Sequence, residues 1–549
     1  MKRSIIYYFL SLVCITGFAQ NKSIPHLEKQ GTATQLIVNG KPFLLLAGEL
    51  HNSSTSSAAY MHAIWKQMAQ KNLNTVIAGV SWELVEPEKG KFDFSLVDSM
   101  VMGARKQGLH LVLIWFGSWK NSASTYVPGW VKHNYETYPY VKDKSGKTLE
   151  VLSTFGDVTA QADAMAFGKL MTHVKETDSK QQTVIMVQVE NEVGVLRSDR
   201  DYSDAANKAY AENIPADLSA YLTKNKNKYN LTPELYNAWK ENGFKTTGSW
   251  EDVFGKNTVE DKDWKYLSYY TDELFMAYHY AKYIGSIAAE GKKAYDIPMY
   301  VNAWIKQPST PYPGKYPSGG PQPEVMDMYR CAAPAIDMIV PDIYMPYFTW
   351  TCEQYHRLGN PLFIPETRGG ELGSARAFYA FGEYDAMCFS PFGIDGDYLK
   401  DDALKAAYST LGQLKELILK NQGKQHMKGV LVDTANEVQQ ITFGGYKMEA
   451  KLNDKSKNQV AGGIIISIAP DEFIIAGKGF DVFFAPEVAG NLPLVAIDKV
   501  DEGTYKNGQW IPGRRLNGDE VQTSTFSATG LRLPTGTYSI QHVKLYRFK

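Results

Sequence analysis

Eight times between residues 43 and 395 the sequence repeats one unit: a short run of Val, Ile, Leu and Phe, a polar or aromatic ending, then a helical stretch. The runs are 43–48, 75–80, 109–116, 184–189, 297–302, 335–340, 361–364 and 386–391. A strand with one face in water alternates apolar and polar residues, so near-continuous apolar runs suit strands buried on both faces. Helical patterns such as 58–71 and 94–107 fill the gaps, the second closing at Gly108 as a helix C-terminus should. Eight strand–helix units predict an α/β fold, a (β/α)8 TIM barrel, with its site where the C-terminal strand ends and their loops converge.

With 549 residues the chain exceeds what one hydrophobic core organises. The rhythm changes near residue 426, beyond a helical pattern at 402–421, to short alternating strands at 429–432, 439–443, 462–468, 472–476, 481–485 and 538–547 with Gly, Asn and Asp turns. Two domains are predicted: a catalytic barrel over 20–425 and an all-β, sandwich-like module over 426–549. Residues 196–296 read as an elaborated segment at the barrel mouth, with helices over 215–226, 233–242 and 265–289, and 309–323 as a Pro- and Gly-rich loop.

At the N-terminus, Met1-Lys2-Arg3, an apolar stretch over 5–15 and Gly17-Phe18-Ala19 form the layout of a secretory signal peptide over 1–19. That predicts export, to the periplasm or the medium, with Gln20 as first mature residue. The stretch is too short to predict a membrane span. Cys331, Cys352 and Cys388 remain, without zinc-ligand spacing; Cys331 and Cys352 either pair or, like Cys388, stay buried thiols. A formal net charge of -1 with no basic run argues against a nucleic-acid partner.

The chemistry lies in the carboxylates at the strand ends. The fourth run passes directly into Glu190-Asn191-Glu192, and the seventh into Glu366, with Arg368 two residues on. Two neighbouring carboxyls raise one another's pKa, which suits a general acid at neutral pH, and Asn191 offers an amide to a sugar hydroxyl. A guanidinium beside Glu366 would favour its ionised, nucleophilic form. Strands four and seven face each other across an eight-stranded barrel. A separation of about 5 Å between their carboxyls would make a retaining glycosidase, which needs neither metal nor organic cofactor. The aromatic supply, 13% of residues, offers flat faces for sugar rings as well as core. Other strand-end candidates for substrate contact are Glu49 and His51, Trp82 and Glu83, Asn302 and Trp304. Trp115 and Trp119 either stack on a sugar or pack in the core. No Gly-x-Ser-x-Gly elbow and no His-Glu-x-x-His occurs.

The segment Gln188-Val-Glu-Asn-Glu-Val-Gly194 resembles the acid/base motif of glycoside hydrolase family 35, the β-galactosidases of clan A. Ala47-Gly-Glu-Leu-His51, Val80-Ser-Trp-Glu-Leu-Val-Glu-Pro87, Gly90-Lys-Phe-Asp-Phe94 and Val127-Pro-Gly-Trp-Val131 are similar to its motifs around strands one to three, and the resemblance covers roughly 35–395. It implies Glu192 as acid/base, Asn191 as the residue holding the sugar 2-hydroxyl, and Tyr344 as the tyrosine that hydrogen-bonds the nucleophile. It implies an exo-enzyme releasing terminal β-galactose from oligo- or polysaccharides. The chain departs from the family at Gly79, where it has Tyr, at Glu83, where it has Asn, and at Trp115–Trp119, where its sugar-binding loop lies. Glu192 and Glu366 stand 174 positions apart, closer to family 42 spacing. The alternatives are another terminal sugar within the clan, such as α-L-arabinopyranose, or a carbohydrate-binding barrel without catalysis.

Overall fold

A computed structural model describes residues 23–257, 264, 270–396, 398–455, 459–523 and 528–549. The predicted signal peptide lies outside them. Eight parallel strands close a barrel: β1 (Leu45–Glu49), β2 (Thr75–Ser81), β3 (His110–Lys120), β4 (Val184–Asn191), β5 (Met299–Trp304), β6 (Met338–Ile343), β7 (Phe363–Thr367) and β8 (Cys388–Pro391). Each predicted run supplies one. Two-residue periodicity divides their side chains. Leu45, Ala47, Ile77, Val112 and Ile185 fill the barrel, while Leu46, Val76, Leu111 and Leu113 pack outward on the helices. This double burial is why the runs read as unbroken apolar sequence.

The first run is shorter than predicted, because residues 41–43 belong to an N-terminal antiparallel sheet (His26–Gln30, Ala33–Val38, Lys41–Phe43). Its Leu36 and Val38 join the barrel's inner cluster and close the end opposite the strand C-termini. The segment after β4 carries helices Ala216–Lys224, Pro233–Glu241 and Thr271–Ala294 near their predicted places; residues 265–269 of the last prediction lie outside the described ones. A bridge between Val195 and Ser318 ties this excursion to the loop after β5.

After the helix Asp402–Asn421 the chain builds one six-stranded and one five-stranded antiparallel sheet. Val430, Ile465 and Ile475 from the first meet Ile441, Met448 and Val482 from the second in one core, as in a sandwich. The other face of the six-stranded sheet turns Ile464, Ile466 and Ile474 into the barrel's outer cluster, against the helix Gly370–Tyr384 that follows β7. Strands Tyr446–Leu452 and Leu494–Lys506 were not predicted. The first alternates cleanly and was legible; the second is chiefly half-buried and has no apolar rhythm to read. The three cysteines of the described chain are free thiols. No helix among the described residues is long and apolar enough to cross a membrane.

Candidate active site

Seven of the eight strand ends line one cavity of about 440 Å³ at the C-terminal mouth. Asn52 follows β1, Lys120 ends β3 and Asn121 follows it, Asn191 and Glu192 close β4, and Trp304 ends β5. Asp342 and Tyr344 come from β6 and its exit, Glu366 from β7, Phe392 from just beyond β8. Glu192, Asp342 and Glu366 are all buried, and an oxygen from each lies within 4.8 Å of the others. Three oxygens at this spacing have the span of a cation site; here the positive charge facing the cavity is the ammonium of Lys120.

The exit of β4 decides which acids meet. In an extended strand, residues 190 and 192 would point to one side. Glu190 and Glu192 instead take positive φ values of 64° and 45°, a left-handed conformation costing about 1–2 kcal/mol for a residue with a side chain. The double kink turns Asn191 and Glu192 into the cavity and Glu190 away from it. Glu190 accepts hydrogen bonds from the backbone N–H of Ser118 at 3.0 Å and Trp119 at 2.7 Å. Burial, then the adjacent Asp163, hold its proton affinity well above the usual carboxylate range. The predicted Glu190–Glu192 pair is therefore corrected: the acid facing Glu192 across the barrel is Glu366.

Burial, reinforced by the charge of Glu366, pushes the Glu192 carboxyl up to about 8, with Asp342 and Lys120 pulling the other way. Glu366 is also raised by burial, but the Tyr344 hydroxyl donates to its Oε2 at 2.7 Å and, with Lys120, favours the ionised form. Asn302 joins the strand ends beneath. Its Oδ1 accepts from the Glu192 backbone N–H at 2.9 Å, and its Nδ2 lies 3.0 Å from Asn191 Oδ1, 2.8 Å from Asp342 Oδ2 and 3.4 Å from Glu366 Oε1. Asn191 in turn donates to Asn121 Oδ1 at 3.0 Å. Deeper still, Glu49 is buried beside this group, and its proton affinity is raised well above normal by burial, Glu366 and Glu192; neither of its oxygens has a hydrogen-bond donor among the described residues.

Several predicted contacts are displaced. Trp115 is fully buried and donates to Asp163 at 2.7 Å; Trp119 donates to the Leu152 carbonyl at 3.0 Å and packs on Tyr280 and Tyr283. Both are core residues between β3 and the outer helices, not platforms for sugar. Trp82 is likewise buried, held by Glu86 at 2.9 Å. Glu83 pairs with Lys132 at 3.2 Å and lines a smaller cavity of about 210 Å³ that meets the first at Asn52. His51 is tied to Asp395 at 3.0 Å and does not line the main cavity. Arg368 is exposed and donates to the Tyr344 carbonyl at 3.0 Å, so the cation acting on Glu366 is Lys120. Sequence reasoning missed Lys120, Asn121 and Asp342. The first two stand directly after Trp119, beyond the apolar part of β3, and Asp342 lies two residues before Tyr344; their position at strand ends was the signal.

Residues 35–283 match the model of "Glycosyl hydrolases family 35", and residues 404–527 that of a domain of unknown function, DUF5597. A "Beta-galactosidase" of Xanthomonas manihotis is 32% identical over 206 residues, 35% of this chain and 30% of that protein. "Beta-galactosidase 13" of Arabidopsis thaliana is 36% identical over 83 residues, 15% of this chain and 10% of that one. The chain thus spans less than a third of the length of these relatives. Among solved structures, a β-galactosidase from the psychrophilic Marinomonas ef1 is similar with TM-score 0.44 and 14% identity, over 68% of this chain and 60% of that one.

Proposed function

We propose that this chain, family 35-like over residues 35–283, which carry the first four barrel strands, is a retaining exo-glycosidase that releases terminal β-galactose from oligo- or polysaccharides. The observation that carries this reading is the facing pair Glu192 and Glu366, which sit in one cavity with different hydrogen-bond partners. Their nearest oxygens lie within 4.8 Å. That supports the carboxyl separation of roughly 5–5.5 Å found in retaining enzymes over the about 6.5–9.5 Å at which inverting enzymes hold a water. Glu366 lies outside the matched segment, so its assignment rests on geometry.

In the first step the Glu366 carboxylate attacks the anomeric carbon while Glu192, still protonated near neutrality, gives its proton to the leaving oxygen. In the second, Glu192 takes a proton from water, which displaces Glu366 with net retention. Tyr344 fixes the attacking carboxylate through its hydroxyl. Asn52, Asn121 and Asn191 present amides to sugar hydroxyls, and Trp304 and Phe392 are the aromatics on the cavity wall. The preference for galactose is supported by the names of the relatives.

The test is hydrolysis of a panel of 4-nitrophenyl glycosides, β-D-galactopyranoside first, by wild type, Glu192→Ala and Glu366→Ala with added azide. Wild-type turnover is expected, with Glu192→Ala forming a β-glycosyl azide and Glu366→Ala an α-glycosyl azide. A Glu366→Ala protein that keeps most of its activity would overturn the assignment; turnover of only a sibling glycoside would keep the mechanism and change the sugar.

A further inference from the structure

We propose that Asp342 is a positioning residue of this site, one that keeps its own proton through the reaction and donates it in a hydrogen bond to Glu192. The inference rests on the retaining mechanism above and deepens it. Asp342 ends β6 with its Cα in register with that of Glu366 and is 2% exposed. Its Oδ2 accepts from Asn302 Nδ2 at 2.8 Å. Its Oδ1 is buried and receives no donor from an amide, hydroxyl or backbone N–H among the described residues. The carboxyl of Glu192 faces it in the same buried cluster, an oxygen of each within 4.8 Å of the other, and each of the two acts on the other's proton affinity. Two carboxylates offer each other only acceptors, so that contact is a bond when one of them carries a proton, and a buried oxygen left without a partner is costly.

The groups around Asp342 decide where that proton resides. Glu366 on β7, Glu192 on β4 and Glu49 on β1 face it with acidic side chains, Tyr344 and Tyr300 stand near the same group, and Tyr355 approaches from the helix after β6. Lys120 supplies positive charge to Glu49, Glu192 and Glu366. Burial and then Glu366 hold the Asp342 proton far above the ordinary carboxylate range. Proton and charge balance follow. Before the first step Glu366 is the ionised acid and Glu192 holds the transferable proton. When Glu366 becomes an ester, the leaving oxygen has taken that proton and Glu192 becomes the ionised acid, now accepting from the Asp342 O–H. Among the three acids there is one negative charge before and one after, and Asp342 stabilises it in the second place.

The test compares Asp342→Asn and Asp342→Ala with wild type in pH profiles of kcat and kcat/KM on the best 4-nitrophenyl glycoside, after thermal melts confirm folding. An Asn amide can still donate, so Asp342→Asn should keep the alkaline limb of kcat/KM within about half a pH unit of wild type, a small fraction of the shifts a neighbouring charge produces. Asp342→Ala leaves the Glu192 carboxylate without its donor, so the acid limb of kcat should rise by about one unit and kcat on that limb fall by up to about tenfold, with Asp342→Asn restoring it. An alkaline limb that moves down by a unit or more in Asp342→Asn would mean that Asp342 is ionised in the working enzyme and would overturn the proposal. So would equal kcat profiles for the two variants. Should Asp342→Ala fail to fold, the limb in Asp342→Asn decides alone. Failure of the glycosidase reading shows separately, as absent wild-type turnover.

Discussion

Lys120 faces a cavity whose other charged side chains are acids, and it opposes the burial that raises Glu49, Glu192 and Glu366. Removing the ammonium raises the proton affinity of all three. Glu366 works ionised, so a higher value moves the acid limb of kcat/KM upward; Glu192 works protonated, so a higher value moves the alkaline limb upward too. Lys120→Met should therefore shift the whole bell to higher pH by about one unit, within the range a single close charge produces, and Lys120→Arg should hold it near wild type. The measurement is a kcat/KM–pH profile, and an unmoved bell in Lys120→Met would remove Lys120 from this role. In wild type the alkaline limb is expected near pH 8, where Glu192 loses its proton.

At the scale of elements, the helix Gly370–Tyr384 is the link between the nucleophile strand and the C-terminal sheets. It follows β7 directly, and the strand Val460–Ala469 approaches it so closely that a Cβ on Gly462 would lie 2.4 Å from the Ala375 carbonyl oxygen and 2.5 Å from its Cα. Both obstacles are backbone, so relief requires the helix and sheet to part. Gly462→Val should cost on the order of 1–3 kcal/mol, as overpacking of a fitted interface does, read as a lower Tm. Activity should fall with it, because the displaced helix carries the exit of β7. A Tm equal to wild type would show that the contact yields freely.

For the molecule as a whole, the six-stranded sheet belongs to two cores: one face to the sandwich, the other, through Ile464, Ile466 and Ile474, to the barrel's outer layer. Phe378 of the helix stacks on Tyr538 with ring centroids 5.1 Å apart. A chain ending at residue 425 would leave Phe378, Ala375 and Tyr379 against water as one apolar patch. Such patches drive association in otherwise soluble domains. The truncated barrel is expected to aggregate or melt well below the full chain, as sedimentation and thermal scans would show; a monodisperse, fully active barrel would refute this.

The barrel was legible because burial on both faces writes itself into each strand as an apolar run, and because carboxylates directly after such runs have no structural reason to be there. Glu192 and Glu366 were found that way and Tyr344 through the family resemblance, and the geometry brings all three together. What sequence could not determine was direction. Glu190 and Glu192 look equivalent two residues apart, and only their left-handed backbone sends one to Asp163 and the other to the cavity. Trp115 and Trp119 read equally as platform or core until β3 turns them outward. Arg368 is near Glu366 along the chain but bonds to the Tyr344 carbonyl, whereas Lys120, from a strand on the other side of the mouth, is the cation that acts on it. Spacing along a chain fixes which face a regular strand shows; at strand ends the regularity stops, and the tertiary contacts decide which charge meets which.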